Sequence, residues 1–413
     1  MKTFKELYDQ ALRQALQDDF DSIKGDSDYD AQQLSCLLNP EKQPLIIRTG
    51  ACRCSPEEHE ACVAGCPFDA ITTKEDGDIK IDSELCLGCC DCIGRCKLDN
   101  LAPNTDVYQA LKAIRSTTNL TYALVAPAFL GQFGEDVTPG RLRSALKQVG
   151  FDGMIEVALF ADILTLKEAL EFNENILEEG DYQLTSCCCP MWIAMIRKIY
   201  SQLVPHVPGS VSPMIACART IKKLYPDAVT VFIGPCLAKK AEAREKDLVG
   251  DVDFVLTFQE VESIFNLLDI KPGDFEEDDK DHASRAGRIY ARAGGVSEAV
   301  AATAERLQPD RAIRVKTVKA DGVPACKAMI KDILSGDVKG NFYEGMGCKG
   351  GCVGGPRSVV PAEVGTKAVD AYGDLSPYHT PAENPYVIEL LHRLGFETVE
   401  DLLEKSDIFT RHF

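Results

Sequence analysis

The spacing of the cysteines constrains this chain more than any other feature of its sequence. Eighteen cysteines occur among 413 residues, and nine of them lie between Cys52 and Cys96. Three more are consecutive at Cys187, Cys188 and Cys189, whereas the whole chain has only six histidines. A set that is rich in thiolates and poor in imidazoles favours iron–sulfur clusters over catalytic zinc.

Charge and hydropathy narrow the class of protein. Lys and Arg number 45 against 64 Asp and Glu, a net charge of −19 that argues against a nucleic-acid partner. The sequence has no run of about 20 apolar residues, so we expect no membrane span. The segment 1–6 is polar and lacks the apolar part of a secretory signal. We therefore expect a cytoplasmic protein whose reduced thiols bind metal rather than form disulfides.

The pattern along the chain predicts three parts. Residues 1–45 are interpreted as an acidic, helical lead-in. Residues 46–115 form a first cysteine-rich domain. Residues 116–413 alternate short apolar runs with amphipathic stretches, which is typical of an α/β domain. The predicted fold class is α/β (α+β).

Individual elements follow from the same pattern. Residues 122–127 and 229–234 are mostly apolar runs that predict buried strands. A helix is predicted between residues 140 and 150, which begin and end with glycine. The tail from 384 to 413 is predicted to be helical, with its leucines on one face.

Two cysteine half-motifs dominate the first domain. Segment 86–96 contains Cys-x-x-Cys-x-x-Cys-x-x-x-Cys, which lets three thiolates of one tight loop bind one cubane while the fourth reaches another. Segment 52–67 is a stretched version with an insert that carries His59. An Asp76-Gly77 turn signal between them predicts a hairpin. The alternative, a structural zinc ribbon, needs two Cys-x-x-Cys pairs and no third regular thiolate.

This domain resembles a bacterial two-cluster ferredoxin, although Lys97 rather than proline follows the last cysteine. The resemblance implies two 4Fe–4S clusters that relay electrons, with Cys90 as a spare thiol. It implies one cluster on Cys52, Cys54, Cys62 and Cys96, and the other on Cys86, Cys89, Cys92 and Cys66.

Later cysteines lie in three loops that are rich in glycine or proline. These loops span residues 185–192, 234–242 and 344–356. One cysteine from each of the first two loops and two from the third would complete a further cubane. The cysteines without partner spacing, which we expect to be buried apolar thiols, are Cys36, Cys217 and Cys326.

From residue 118 to about 360 the chain resembles the FeFe (iron–iron) hydrogenases, whose three signature motifs match these loops. Further matching segments are Ala126-Pro127-Ala128, Phe160-Ala161-Asp162, Ser212-Pro213-Met214 and Gly294-Gly295-Val296 with Glu298-Ala299. The resemblance implies a domain of mixed sheets flanked by helices. It also implies an H-cluster, which is a 4Fe–4S cubane joined to a diiron unit that carries carbon monoxide, cyanide and an azadithiolate.

Site residues follow from the resemblance, motif by motif. It implies that Cys189, Cys236, Cys348 and Cys352 bind the cubane, with Cys352 bridging to the diiron unit. Lys239 would donate a hydrogen bond to a cyanide, whereas a lysine three residues before Glu242 is otherwise usually a weak surface ion pair. The pocket would be lined by Ala126, Pro127, Met214, Pro235 and Met346.

The triple cysteine leaves a choice of register for the proton-carrying thiol. Counting back from Pro190 assigns this role to Cys188, and counting forward from Ser186 assigns it to Cys187; the spacing to Ser212 favours Cys188. Upstream, Glu168 and Glu171 would continue the proton route, although two helical glutamates are usually a solvated face. The family's serine on this route is replaced near Pro208-Gly209, which has no hydroxyl.

The leading hypothesis is an FeFe hydrogenase that interconverts dihydrogen with protons and electrons. A slow hydrogen or redox sensor and a non-catalytic iron–sulfur assembly relative stay open as alternatives. Expected partners are a ferredoxin or flavodoxin-like electron carrier and maturation proteins for the diiron unit. Gly234, Met214 and the short Gly354-Gly355-Pro356 ending depart from the family's usual pattern and place the chain in a less typical branch.

Overall fold

A computed structural model describes residues 2–25, 28–75, 77–185, 188–278, 280, 282–404 and 407–412. The strands are β1 Ile46–Arg48, β2 Ile71–Thr73, β3 Ile79–Ile81, β4 Leu101–Pro103, β5 Thr121–Val125, β6 Gly153–Glu156, β7 Gln183–Leu184, β8 Val229–Gly234, β9 Phe254–Thr257, β10 Thr317–Asp321 and β11 Phe342–Met346. The helices are α1 Phe4–Leu16, α2 Ala31–Leu38, α3 Pro56–Ala64, α4 Asp91–Arg95, α5 Val107–Ser116, α6 Pro139–Val149, α7 Ala158–Asn175, α8 Pro190–Lys198, α9 Pro213–Leu224, α10 Ala238–Ala243, α11 Phe258–Leu267, α12 Arg285–Arg288, α13 Gly295–Leu307, α14 Val323–Leu334, α15 Ala362–Asp374, α16 Pro385–Leu394 and α17 Asp401–Glu404.

A four-stranded parallel sheet in the order β6-β5-β8-β9 forms the centre of the largest core. In its register Leu124 lies opposite Ile155 on one side and Phe232 on the other. Strands that are covered on both faces need apolar side chains on both faces, which is why 229–234 is a mostly apolar run. The strand predicted there is confirmed residue for residue.

A second parallel sheet has the order β10-β11-β7. The fully buried indole of Trp192, on α8, packs against its central strand β11 at Gly345. A Cβ atom at Gly345 would lie 2.1 Å from the indole ring, so only glycine allows this close approach.

The first cysteine-rich domain contains two antiparallel pairs of strands, β1 with β4 and β2 with β3. We call this domain the small unit. The predicted hairpin is β2–β3, although Asp76 of its turn lies outside the described residues. The insert between Cys54 and Cys62 is a helix, α3, which the sequence analysis did not predict. Ser55 and Glu58 cap this helix reciprocally.

The small unit shares its core with the larger one through several residues, among them Leu237. Leu237 follows β8 and is completely buried among Leu45, Ile46 and Cys86 of the small unit. At the same contact the backbone of Gly88 approaches Ala238 so closely that a Cβ atom there would lie 3.3 Å from the Ala238 nitrogen. The two units therefore meet next to the carboxyl end of strand β8 of the larger sheet.

The N-terminal helices pack onto the main core. Leu7 and Ala11 of α1 are buried with Tyr108 and Leu111 of α5. The tail is less helical than predicted, since α16 and the four-residue α17 are separated by turns. The predicted fold class, α/β with mixed sheets flanked by helices, is confirmed. Within the described residues, no helix combines the length and apolar character that crossing a bilayer requires.

Replacing Leu237 by alanine tests whether this leucine joins the two units. Leu→Ala changes in a core remove buried methyl groups and leave a cavity, so we expect the free energy of unfolding to fall by about 2–5 kcal/mol. Urea unfolding followed by circular dichroism measures the loss. Leu375→Ala is the matched control, because that leucine is 76% exposed. Equal stability of both variants would contradict the packing role of Leu237.

Candidate metal centre

The three cysteine loops all follow the carboxyl ends of parallel strands. Cys189 lies beyond β7, Cys236 beyond β8, and Cys348 and Cys352 beyond β11. β7 and β11 are neighbours in one sheet, and β8 is an inner strand of the other. Carboxyl ends of parallel strands are the usual position of ligand sites in α/β folds, because loops from several strands converge there.

The first loop is fixed by its own proline and tryptophan. Pro190 begins α8, where its lack of an N–H group costs no hydrogen bond. The indole Nε1–H of Trp192 donates to the Thr185 carbonyl oxygen at 3.4 Å, which closes the loop. The backbone N–H of Gly347 lies 3.3 Å from Cys189 Sγ and donates to it across the two loops.

The four cysteine thiols of these loops lie within mutual electrostatic range. Burial and then the neighbouring Cys189 raise the pKa of Cys236 to about 11, against an opposing effect of Lys239. Burial, followed by Cys189 and Cys236, raises the pKa of Cys352 to about 12. Burial raises the pKa of Cys348 well above its ordinary value, and the other three thiols raise it as well. Four thiols that disfavour each other's ionisation form a site that calls for a compensating positive charge.

The donor set fits an iron–sulfur cubane. All four groups are thiols, the set of ligands that 4Fe–4S clusters use. No three His, Cys, Asp or Glu side chains in the described part of the chain are close enough to hold one metal ion. In a cubane each cysteine thiolate binds a different iron atom. The cysteine sulfur atoms therefore lie further apart than the ligands of a single zinc ion.

Lys239 lies beside this group and is buried. Its Nζ is 2.7 Å from Glu242 Oε2, and both side chains are nearly inaccessible, so the interpretation as a weak surface pair is wrong. Burial lowers the pKa of Lys239, but Glu242 and the thiolates of Cys236 and Cys352 outweigh it and leave the pKa raised. The lysine therefore stays charged next to the thiols.

Cys188 lies within electrostatic range of two of the four thiols, Cys189 and Cys352, and of two buried carboxyl groups. Burial raises its pKa well above the ordinary value, and Cys189, Glu168 and Glu344 raise it further. The thiol consequently retains its proton near neutral pH. Cys187, the other candidate for this position, lies outside the described residues.

Glu344 is a functional candidate that sequence reasoning did not single out. It is fully buried, and its two carboxylate oxygens accept hydrogen bonds from the backbone N–H groups of Gly294 and Ser297 at 2.6 and 2.7 Å. Its position two residues before Met346, at the end of the apolar strand β11, was the available signal. Tyr290 was also missed; its hydroxyl lies 2.8 Å from Thr165 Oγ1, and its raised pKa reflects burial and then nearby Glu168.

Glu168 and Glu171 are both buried on α7, so their interpretation as a solvated face is wrong. Glu168 is the one that lies near Cys188. Glu171 forms an ion pair with Lys167, which is also buried. The Lys167 ammonium donates to Ser210 Oγ at 2.9 Å, so a hydroxyl is present two residues after Pro208.

The predicted pocket residues are divided between the two sheets. Ala126 and Pro235 are buried at the adjacent ends of β5 and β8, where the Ala126 N–H donates to the Ile233 carbonyl oxygen. Pro127 is half-buried in the same turn. Met346 is buried at the end of β11, beside the cysteine loop. Met214 is buried in the first turn of α9, within the core of the larger sheet.

The cysteines of the first domain fall into two groups by proximity. After burial, the largest influences on the pKa of Cys62 are Cys52, Cys96 and Cys54. The pKa of Cys92 is raised to about 12 by burial, followed by Cys89, Cys86 and Cys66. The strongest influences fall within the sets that the ferredoxin resemblance implies, while Cys62 and Cys66 also lie near the other set, and the assignment of ligands stays a prediction.

Cys90 lies between the second of these sets and the four thiols of the larger domain. Burial dominates its raised pKa, and its charged neighbours include Arg357, Cys89 and Cys236. Cys348 in turn has Cys90 among its neighbours. The other unassigned thiols are buried as expected, at Cys36, Cys217 and Cys326.

Comparison with known proteins places this arrangement in a family. Residues 119–356 match the family model described as the iron only hydrogenase large subunit, C-terminal domain. Iron hydrogenase 1 of Clostridium pasteurianum is 28% identical over 273 residues, which is 56% of this chain and 47% of that protein. A probable cytosolic Fe-S cluster assembly factor of Drosophila mojavensis, GI11683, is 23% identical over 350 residues, which is 68% of this chain and 73% of that protein.

The fold also matches solved structures. A variant of FeFe-hydrogenase HydA1 from Chlamydomonas reinhardtii superposes with a TM-score of 0.63 at 22% identity, covering 75% of this chain and 98% of that one. The chain spans about half the length of the Clostridium hydrogenase. Since the family match covers more than half of the 413 residues and includes all three cysteine loops, the chain belongs to the iron-only, or FeFe, hydrogenase family.

Proposed function

We propose that the chain is an FeFe hydrogenase that interconverts dihydrogen with two protons and two electrons. The observation that carries this proposal is the placement of Cys188. A protonated thiol lies within electrostatic range of two of the clustered thiols, Cys189 and Cys352, and of the buried carboxyl group of Glu168. This arrangement supplies a group that can give and retake a proton at a buried metal centre.

The four thiols would hold the cubane of an H-cluster, with Cys352 bridging to the diiron unit. The group supplies, when bound, the metal atoms at which the bond of dihydrogen is broken or formed. Cys189, Cys236, Cys348 and Cys352 bind and orient it, and the Gly347 N–H donates to one of the sulfurs. Lys239 would hold an anionic ligand of the diiron unit by a charge-assisted hydrogen bond.

Protons would move along the buried polar groups of α7. Cys188 would exchange its proton with Glu168, and Glu171 would continue the route one helical turn further on. Glu344 would favour the protonated form of the Cys188 thiol through its charge. It would not join the route, because backbone N–H groups already donate to both its oxygens. The remaining pocket residues exclude water from the metals.

Electrons would pass through residues 46–115 as a two-cluster ferredoxin-like domain. The two groups of thiols there, together with Cys90, form a continuous series toward the larger domain. The outer partner would be a ferredoxin or flavodoxin-like carrier. Since the chain has a net charge of −19, local charge on the partner would set the association rate. Maturation proteins would supply the diiron unit.

The second candidate is an iron–sulfur assembly role without turnover of dihydrogen. It is favoured by the 23% identity to the Drosophila assembly factor over 68% of this chain. The protonated, half-buried thiol of Cys188 and the charged, buried Lys239 argue for the enzyme, because an electron-relay or scaffold role requires neither. A slow sensor would share the whole site and differ only in rate.

Iron content tests the four-thiol assignment. Cys348→Ala removes one thiolate of the proposed cubane, and we expect the purified, anaerobically reconstituted protein to lose about four iron atoms per chain. Cys217→Ala is the matched control, since burial alone raises its pKa and no other thiol among the described residues contributes to that shift. Full iron content in Cys348→Ala would contradict the assignment.

Infrared spectra and turnover test the proposed activity and the register of the triple cysteine. Protein matured with the diiron unit should show carbon monoxide and cyanide bands, and should evolve dihydrogen from a reduced viologen. In Cys188→Ala the bands should persist while turnover falls at least about 100-fold, the typical contribution of a general acid or base. In Cys187→Ala both should remain.

Different results would separate the alternatives. Absence of the infrared bands from the matured wild-type protein would favour the assembly role. Bands with only slow turnover would favour the sensor. Normal turnover in Cys188→Ala together with loss in Cys187→Ala would reverse the register.

A further inference from the structure

A buried lysine lies in the part of the molecule that the proposed proton route crosses. Lys167 immediately precedes Glu168 on α7 and is 2% exposed. Its Nζ forms an ion pair with Glu171, lies 2.9 Å from Ser210 Oγ and is 3.5 Å from the Gly209 carbonyl oxygen. The lysine thus ties the carboxyl group to the loop that follows Pro208.

This loop is fixed by the C-terminal segment. Gly209 accepts a hydrogen bond from the N–H of Arg411 at 3.0 Å, and the N–H of Val211 donates to the Phe409 carbonyl oxygen at 3.1 Å. Arg411 is itself buried and pairs with Asp247. Lys167 therefore binds a loop that has little freedom to move away from it.

Glu171 faces a cavity of about 490 Å³ on its other side. The cavity wall includes Tyr182, Gln183, His206 and Pro208. One oxygen of Glu171 is paired with Lys167, whereas its Oε2 is buried without a hydrogen-bond partner in the described part of the chain. Gln183 Oε1 is likewise buried and unpaired there. Unpaired buried polar atoms at a cavity wall are sites where water binds.

We propose that Lys167 is a positioning residue that holds Glu171 at the cavity wall and favours its ionised form. By this it sets the pH at which Glu171 exchanges protons with solvent in the cavity. The inference rests on the proposed function for its link to turnover, but the lysine–carboxylate coupling can be measured without the H-cluster.

The charges around Glu171 give the direction in which its pKa should move when Lys167 is removed. Burial raises its pKa, Lys167 lowers it through charge and a hydrogen bond, and Glu174 on the same helix raises it. Across the cavity, Asp181 and His206 are the other titratable groups near the wall, and Tyr182 stacks on the His206 ring. Without the lysine, burial and the surrounding acidic groups would act alone, so Glu171 would hold its proton to a higher pH.

Infrared titration of unmatured protein with ¹³C-labelled glutamate carboxyl groups measures the coupling. The Glu171 band is the one missing from Glu171→Gln. We expect Lys167→Met and Lys167→Gln to move its midpoint to higher pH, and Lys167→Arg to leave it close to that of the wild type. Lys222→Met is the matched control, since that lysine pairs with Asp253 at 2.8 Å away from the cavity. An unmoved Glu171 midpoint in folded Lys167→Met and Lys167→Gln would overturn the proposal.

The matured protein then tests the link to turnover. We expect the pH profile of dihydrogen evolution to move to higher pH in Lys167→Met, and Lys167→Arg to restore the wild-type profile. A shifted carboxyl midpoint with an unchanged pH profile would overturn the positioning role in the proton route. If matured wild-type protein evolves no dihydrogen, the proposed function fails, while the carboxyl titration still decides whether Lys167 controls Glu171.

Discussion

The arrangement of this molecule depends on the end of strand β8. Cys236, two residues after the strand, belongs to the four-thiol group, and the next residue, Leu237, is buried in the core of the small cysteine-rich unit. One short turn therefore fixes the position of a thiol in one centre and the packing of the neighbouring centre. Because both side chains share a backbone, the separation between the two groups of thiols is set by covalent geometry as much as by packing.

The second constraint on the structure is that charged side chains are buried in it. Each of these charges has a partner, but the kind of partner differs. Lys239 and Glu242 neutralise each other beside the thiols, as do Lys167 and Glu171 on α7. Glu344 has backbone N–H donors instead of a cation. Buried ion pairs contribute little net stability, since desolvation offsets their attraction. Of these pairs, Lys239 with Glu242 lies beside Cys236 and Cys352, where the lysine's charge lowers the pKa of both thiols.

Local patterns in the sequence predicted those structural features that depend on residues close together in the chain. The mostly apolar run at 229–234 predicted β8, because a strand buried on both faces leaves such a run. The family resemblance implied how the cysteines group; the structure brings members of each set near one another, and the ligand assignments stay predictions. The helix α3 was missed, since its residues have almost no apolar periodicity. Ser55 and Glu58, its capping pair, were the available signal.

What the sequence could not predict depends on contacts between distant segments. Lys167 and Ser210 are 43 residues apart, and nothing near either one indicates the other. The burial of Glu168 likewise comes from helices and loops packed over α7, which no pattern on that helix reveals. Leu237 belongs by sequence to the larger domain but packs in the smaller one. Such contacts are fixed by the tertiary fold alone.

Anomalous diffraction at the iron absorption edge, from crystals grown without oxygen, tests the central claim most directly. The account predicts iron density enclosed by the Sγ atoms of Cys189, Cys236, Cys348 and Cys352, with Cys188 adjacent but unbound. Zinc at this position, or four thiols that enclose no metal, would contradict it.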